Sequence, residues 1–225
     1  NGSALLGIVI APHADANVHG EILSIANDLK DKLNAIVGTT GFTVVTQPTG
    51  APSGISLGIH GDFPGSGWPY QGFFRPQDLY VGGAIRPERL SLQEEYVLRT
   101  PEGSNRVIVA GASVDGLRHA VWDLLKRVGY RHYFQTSKWE VIPSQPSLAL
   151  NLAIHEKPAF AARMVSFDQT YWNEPGYQLT DTAEADAWLK HNRLNNANTL
   201  TPTTTYGQVI RNWERQYARP FPLAL

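Results

Sequence analysis

The stretch that decides the fold is GASVDGLRHAVWDLLKRVGYRHYF, residues 111–134. Within it Leu117, Ala120, Val121, Leu124, Leu125 and Val128 recur at the spacing of one face of an α-helix. Ser113 or Asp115 can accept hydrogen bonds from first-turn amides, Arg127 complements the C-terminal dipole, and Gly129 suits the left-handed conformation that closes a helix. Gly111 and Gly116 fit neither GxGxxG nor GxxxxGK[ST], so the amides are not spaced to converge on a phosphate. A metal-binding helix needs two ligands on one face, as in HExxH. His119 has only Asp123 at that spacing and reads as a surface or capping residue. The glycines therefore serve a packing helix, and the trailing Tyr133 and Phe134 begin a strand.

Upstream, EEYVLRT (94–100) and NRVIVAG (105–111) alternate in polarity and are joined by PEGS, the pattern of a hairpin that feeds this helix. LLGIVIA (5–11) reads as a buried strand. Ile22, Ile25, Leu29, Leu33 and Ile36 mark a first helix over 21–37, stopped by Gly38. FTVVTQ (42–47) and GISLGIHG (54–61) are strand-like on either side of PTGAPS. Downstream, YRHYF, WEVIPS and SLALNL are expected to complete the sheet. Residues 5–153 then form one α/β (α+β) domain with a mixed β-sheet and two main helices. At HEKPAF (155–160) the character changes. AARMVSFD (161–168) reads as a strand, Tyr171, Trp172 and Asn173 lie in a polar loop, and a helix centres on Trp188 and Leu189, so 158–225 is expected to open a second βα domain.

The totals narrow the function classes. The chain has 225 residues, 42% hydrophobic and 17% charged, room for a sizeable core in one large domain or one domain and part of another. A formal net charge of -1 leaves no basic surplus for phosphates or an anionic membrane, which argues against nucleic-acid and membrane partners. Without cysteine there is no disulfide, thiolate nucleophile or Cys-ligated zinc. No apolar run approaches the roughly 18 residues that span a bilayer, and NGSALLGIVI lacks the basic start of a signal peptide. The missing initiator methionine and the abrupt RPFPLAL end suggest a piece of a longer protein.

Two clusters carry possible chemistry. His13, Asp15 and His19 follow the first strand and could ligate a metal, but loop residues with a helix cap at Asn17 or His19 account for them, and no metal or cofactor is assigned. The run 62–80 holds Phe63, Trp68, Tyr70, Phe73, Phe74 and Tyr80. Exposed, such rings stack on sugars, so Trp68, Tyr70, Phe73 and Phe74 are candidate carbohydrate contacts. The alternative is a flap that packs its rings onto its own domain or a neighbouring one. No Ser-His-Asp order, G-x-S-x-G elbow or kinase signature is present, and catalytic carboxylates cannot be picked without their separation in space.

The run EEYVLRTPEGSNRVIVAGASVDGLRHAVWDLLKRVGYRHYF resembles the non-catalytic N-terminal domain that precedes the barrel in several glycoside hydrolases. These are the family 20 β-N-acetylhexosaminidases, the family 67 α-glucuronidases and bacterial proteins of the DUF4838 type. The shared pattern is carried by Tyr96 and Leu98, by Gly111 to Ala120, by Leu124 to Gly129, and by WEVIPS (139–144) as the exit strand. KPAFAARMVSFD is similar to the first barrel strand of such enzymes, with Arg163 and Asp168 at matching positions and Met164 where family 20 usually has Gly. The resemblance implies a mixed-sheet domain of zincin-like shape without the metal motif, followed by a partial (β/α)8 barrel. It further implies a carbohydrate partner, packing on the protein's own catalytic barrel, a secreted or periplasmic location, and sugar-facing roles for Arg163, Asp168 and Trp172. A whole barrel takes about 250 residues, so catalytic carboxylates on later strands would lie beyond this chain, which would itself be inactive.

Overall fold

A computed structural model of the chain describes residues 7–63, 80–81, 84–85, 94–133, 139–159, 164–167, 191–192 and 196–199. Its elements begin with β1 (Gly7–Ile10), α1 (Ala16–Val37), β2 (Thr43–Thr46), β3 (Gly54–Ile59), β4 (Tyr80–Val81) and β5 (Ala84–Ile85). They continue with β6 (Tyr96–Arg99), β7 (Arg106–Gly111), α2 (Val114–Arg127), β8 (Arg131–His132), β9 (Glu140–Val141), β10 (Ala153–Glu156), β11 (Met164–Phe167) and β12 (Asn196–Thr199). The chain forms two compact units, one of Asn1–Gly129 and Ile142–Ala159, the other of Tyr130–Val141 and Phe160–Leu225.

The first unit is a mixed α/β fold whose six-stranded sheet runs β10-β6-β7-β3-β1-β2. β2, β1, β3 and β7 are parallel, while β6 is antiparallel to both β7 and β10. The β6–β7 hairpin closes where Ser104 N donates to Pro101 O at 3.2 Å. Cross-strand neighbours share a face because side chains alternate along a strand. Ile10, Leu57, Val109 and Leu98 thus line one face. Val9, Ser56 and Ile108 line the other, where Ala51 and Phe63 join the apolar cluster.

The helical periodicities find their partners in the core. α1 buries Ile22, Ile25, Leu29, Leu33 and Ile36, and α2 buries Leu117, Ala120, Val121, Leu124 and Leu125. The helices pack on one another and on the sheet. Truncating one of these leucines to alanine costs about 2–5 kcal/mol, because a lost transfer term and a cavity add. Arg118 ties the helices together, donating to Asp115 Oδ1 at 2.8 Å on its own helix and to Glu21 Oε2 at 3.3 Å on α1.

The caps differ in part from expectation. α1 starts at Ala16 rather than Glu21, since the side chain of Asp15, not Asn17 or His19, accepts from the Asn17 and Val18 amides. It ends at Gly38 in the left-handed conformation, φ 70°. Ser113 caps α2, accepting from Gly116 N, and Gly129 follows its end with φ 92°. Gly111 answers a different need: a Cβ there would sit 2.0 Å from Leu117 N, so α2 lies directly against the end of β7.

After α2 the chain departs from the expected sheet completion. β8 and β9 pair with each other, outside the six-stranded sheet, and residues 147–152 form no strand. The edge position goes to β10, a few residues later. Unpaired carbonyls at helix ends explain the delay. Gln145 donates its backbone amide to Ile36 O at 2.8 Å and its side chain to Val128 O at 3.1 Å, closing both helix ends before the chain reaches β6. There the Thr100 amide donates to Leu152 O and brings β10 into register.

In the second unit, β11 and β12 form a parallel pair, Met164 opposite Asn196 and Phe167 opposite Thr199. The β8–β9 ribbon is fastened by the hydroxyl of Tyr130, which donates to Glu140. The ring of His191 meets Tyr130 edge-on at 5.2 Å, and its Nε2 accepts from the His132 amide at 3.2 Å.

Candidate functional site

In an open sheet with parallel strands, ligands favour the crevice outside the carboxyl ends where connections diverge. Here β1 runs through α1 to β2 on one side, while β3 lies on the other, so the divergence falls between β1 and β3. Just past these ends, and at the same edge of antiparallel β6 and β10, lie His13, His60, Asp62, Glu94, Glu95, Lys157 and, within β10, His155. Three buried carboxylates, Asp62, Glu94 and Glu95, stand at this edge.

Three carboxylate–histidine pairings organise it. Asp62, 7% exposed, lies 3.2 and 3.3 Å from His13 Nε2 through its two oxygens, and its Oδ2 also accepts the Ile59 amide at 2.8 Å. Gly58 makes room for this carboxylate: a Cβ there would come within 2.3 Å of Asp62 Oδ2. Burial raises the Asp62 carboxyl above the ordinary aspartate value. The Ile59 amide, the charge and hydrogen bond of His13 and the charge of His60 pull the other way. Glu94, 1% exposed, pairs with His119 Nε2 of α2 at 3.1 Å. Glu95 is equally buried and takes His155 Nε2 and, at 3.3 Å, Lys157 Nζ. His119 is thus a buried partner of a carboxylate, not a surface or capping residue.

The turn after β3 carries strain. Phe63 has φ 51°, a left-handed conformation that costs a bulky residue on the order of 1–3 kcal/mol. It persists because the ring is fully buried among Val9, Ala51, Ile108 and Ala110. The first aromatic of the 62–80 run is therefore a core residue.

His13, Asp15 and His19 are only partly brought together. Asp15 is engaged as the α1 cap, while the His13 and His19 rings stand 6.5 Å apart between centroids. Asp62 takes the place beside His13 that sequence spacing offered to Asp15. Among the described residues no group of three or more His, Cys, Asp or Glu is arranged to hold a metal ion. No helix among them is long and apolar enough to cross a membrane. Trp68, Tyr70, Phe73, Phe74, Arg163, Asp168 and Trp172 lie outside the described residues.

Asp62, Glu94, Glu95 and His155 escaped sequence reasoning. The usable signal was positional: HGD directly after a buried strand and EE directly before one place ionisable groups at a sheet edge. A cavity of about 530 Å3 occupies the opposite edge, at the starts of β3 and β7. Leu33, Phe42, Ile55, Val107, Leu124 and Leu148 are among the residues that line it, so its walls are chiefly apolar.

No protein-family profile matches the chain, and no curated protein does. Among solved structures it is similar to the family GH20 β-N-acetylhexosaminidase of Streptomyces coelicolor A3(2), with 16% identity and a TM-score of 0.44 over 85% of this chain and 30% of that one. It is also similar to a family GH138 enzyme targeting pectin rhamnogalacturonan II, with 12% identity and a TM-score of 0.40 over 94% of this chain and 22% of that one. The chain thus spans less than a third of either protein, and the likeness to both glycoside-hydrolase structures is distant.

Proposed function

We propose that this chain is the accessory N-terminal α/β domain of a glycoside hydrolase acting on polysaccharide or glycoconjugate bonds, with the first βα portion of its catalytic barrel at 158–225. The observation that carries the reading is the parallel pairing of β11 with β12, with residues 168–195 between them. Parallel neighbours require a crossover of a dozen or more residues, usually helical, which is the repeating step of a (β/α)8 barrel. The sequence pattern shared with N-terminal hydrolase domains supports it as well, since its segments coincide with β6, β7 and α2 in that order. On this reading Arg163, Asp168 and Trp172 face sugar, the protein is secreted or periplasmic, and the catalytic carboxylates lie beyond Leu225.

The test pairs this 225-residue chain with a longer form that carries the rest of the natural protein, both assayed on aryl glycosides and soluble polysaccharides. Turnover by the longer form alone, weakened by Arg163→Ala, is the expected result. Turnover by the 225-residue chain sinks the reading. A second function, a carbohydrate-binding or scaffold module built on residues 62–80, rests on Trp68, Tyr70, Phe73 and Phe74. Saturable oligosaccharide binding lost in Trp68→Ala and Tyr70→Ala would favour it.

A further inference from the structure

We propose that the outer edge of β2 is a self-association surface, on which β2 of a second copy of this chain lies antiparallel and continues the sheet across a two-fold axis. β2 ends the six-stranded sheet, and among the described residues no strand pairs with its far side. Its inner side is fixed by β1. Gln47 N donates to Ile10 O at 3.0 Å, and Ile10 stands opposite Thr46. In a parallel ladder alternate residues turn both amide and carbonyl to the same neighbour. Thr43, Val45 and Gln47 therefore face β1 with their backbone groups, while Val44 and Thr46 turn theirs outward. The side chains of Thr43, Val45 and Thr46 are exposed.

The outward groups are complementary to themselves. With Val45 opposite Val45 of the second copy, Val44 of each chain stands opposite Thr46 of the other, and each such pair exchanges two N–H···O bonds. The four resulting bonds use every outward amide and carbonyl of the two strands. The same register puts the two Val45 side chains at a non-hydrogen-bonded position, where opposite residues come closest, at about 4.5 Å between Cα atoms. Val45 is 44% exposed, although it continues a row through Val9, Ser56 and Ile108 on one face of the sheet. A second copy would cover it. The two ends of the sheet also differ in kind. β10 carries His155 and Glu156 and runs into Lys157 and Pro158, the charges and proline that discourage a further strand, whereas 42–47 reads FTVVTQ, with neither.

Sedimentation velocity of the 225-residue chain over a dilution series from about 1 mM to about 1 μM, the range in which small interfaces dissociate, tests this. The expected result is a mass that rises with concentration from 24.8 kDa toward twice that value. Amide exchange followed by NMR reads the register. Exchange at Val44 and Thr46 should slow about tenfold once about nine in ten chains are paired, because it then proceeds from the free tenth. The Val45 amide, already turned to β1, should stay level. Val45→Lys sets like charges opposite one another, and Thr46→Pro removes an outward amide without touching the bonds to β1. Both are expected to leave a monomer at every concentration. A native chain that stays monomeric throughout, association that survives Val45→Lys, or protection gained at Ile154 of β10 in place of Val44 and Thr46 overturns the proposal. If Thr46→Pro does not fold, Val45→Lys decides alone.

Discussion

Replacing Gly111 by alanine tests the central packing claim, because the added methyl meets backbone rather than a movable side chain. Its Cβ would lie 2.0 Å from Leu117 N and 2.6 Å from Gly116 C, against 3.4 Å for ordinary contact. The start of α2 must therefore retreat by about 1.4 Å from β7. A gap of 0.5–1 Å already forfeits about a quarter to a half of a contact's attraction, and Leu117, Ala120 and Val121 are the residues that would lose it. The expected cost is about 3 kcal/mol, the upper end for overpacking. At roughly 2–4 °C per kcal/mol for a chain of this size, the midpoint should drop by roughly 6–12 °C. Gly20→Ala is the matched control: on α1, exposed, with nothing within 4 Å of the new methyl, it should stabilise by about 0.5–1 kcal/mol through helix propensity. Thermal unfolding followed by circular dichroism gives the midpoints, and urea unfolding gives the free energies of both variants. A Gly111→Ala midpoint equal to that of the native chain would refute the close approach of α2 to β7.

Three further outcomes follow from named contacts. Asp15→Ala removes the α1 cap and should cost about 1 kcal/mol in urea unfolding, with Asp15→Asn largely restoring it. His119→Ala leaves the Glu94 carboxylate buried without its imidazole, at an expected cost of about 3 kcal/mol; a double-mutant cycle with Glu94→Gln should show coupling well above zero. The raised carboxyl of Asp62 means that the folded chain holds a proton over a window where the unfolded chain has released it. Its contribution is therefore present at low pH and is lost as pH climbs from the usual aspartate range, about 4, through the folded value. Asp62→Asn should remove that slope from a stability–pH profile, and an unchanged slope would assign it to another group.

The parts of the fold legible in the sequence were those specified locally. The spacing of Leu117, Ala120, Val121 and Leu124, the alternation on either side of PEGS and the stops at Gly38 and Gly129 each lie within one or two turns of chain. The edge strand was misplaced because its position depends on Gln145 reaching Ile36 and Val128, a tertiary matter. The sheet-edge cluster was hidden for the same reason. His13 meets Asp62 across 49 residues, His119 meets Glu94 across 25, and His155 meets Glu95 across 60. No local periodicity carries such pairings, and the spacing of His13, Asp15 and His19 pointed instead to Asp15, which a helix cap had claimed.

The first unit is discontinuous: its last strand, β10, arrives only after residues 130–141 have been given to the other unit. During synthesis, the sheet therefore waits with the outer edge of β6 bare until Glu156 has left the ribosome. Such an edge offers unpaired amides and carbonyls to any passing strand. A truncation ending at Gly129 would make that vulnerability permanent, presenting β6 to neighbouring molecules as an adhesive seam. Division of this protein for separate study thus belongs after Ala159, where the sheet has received its last strand.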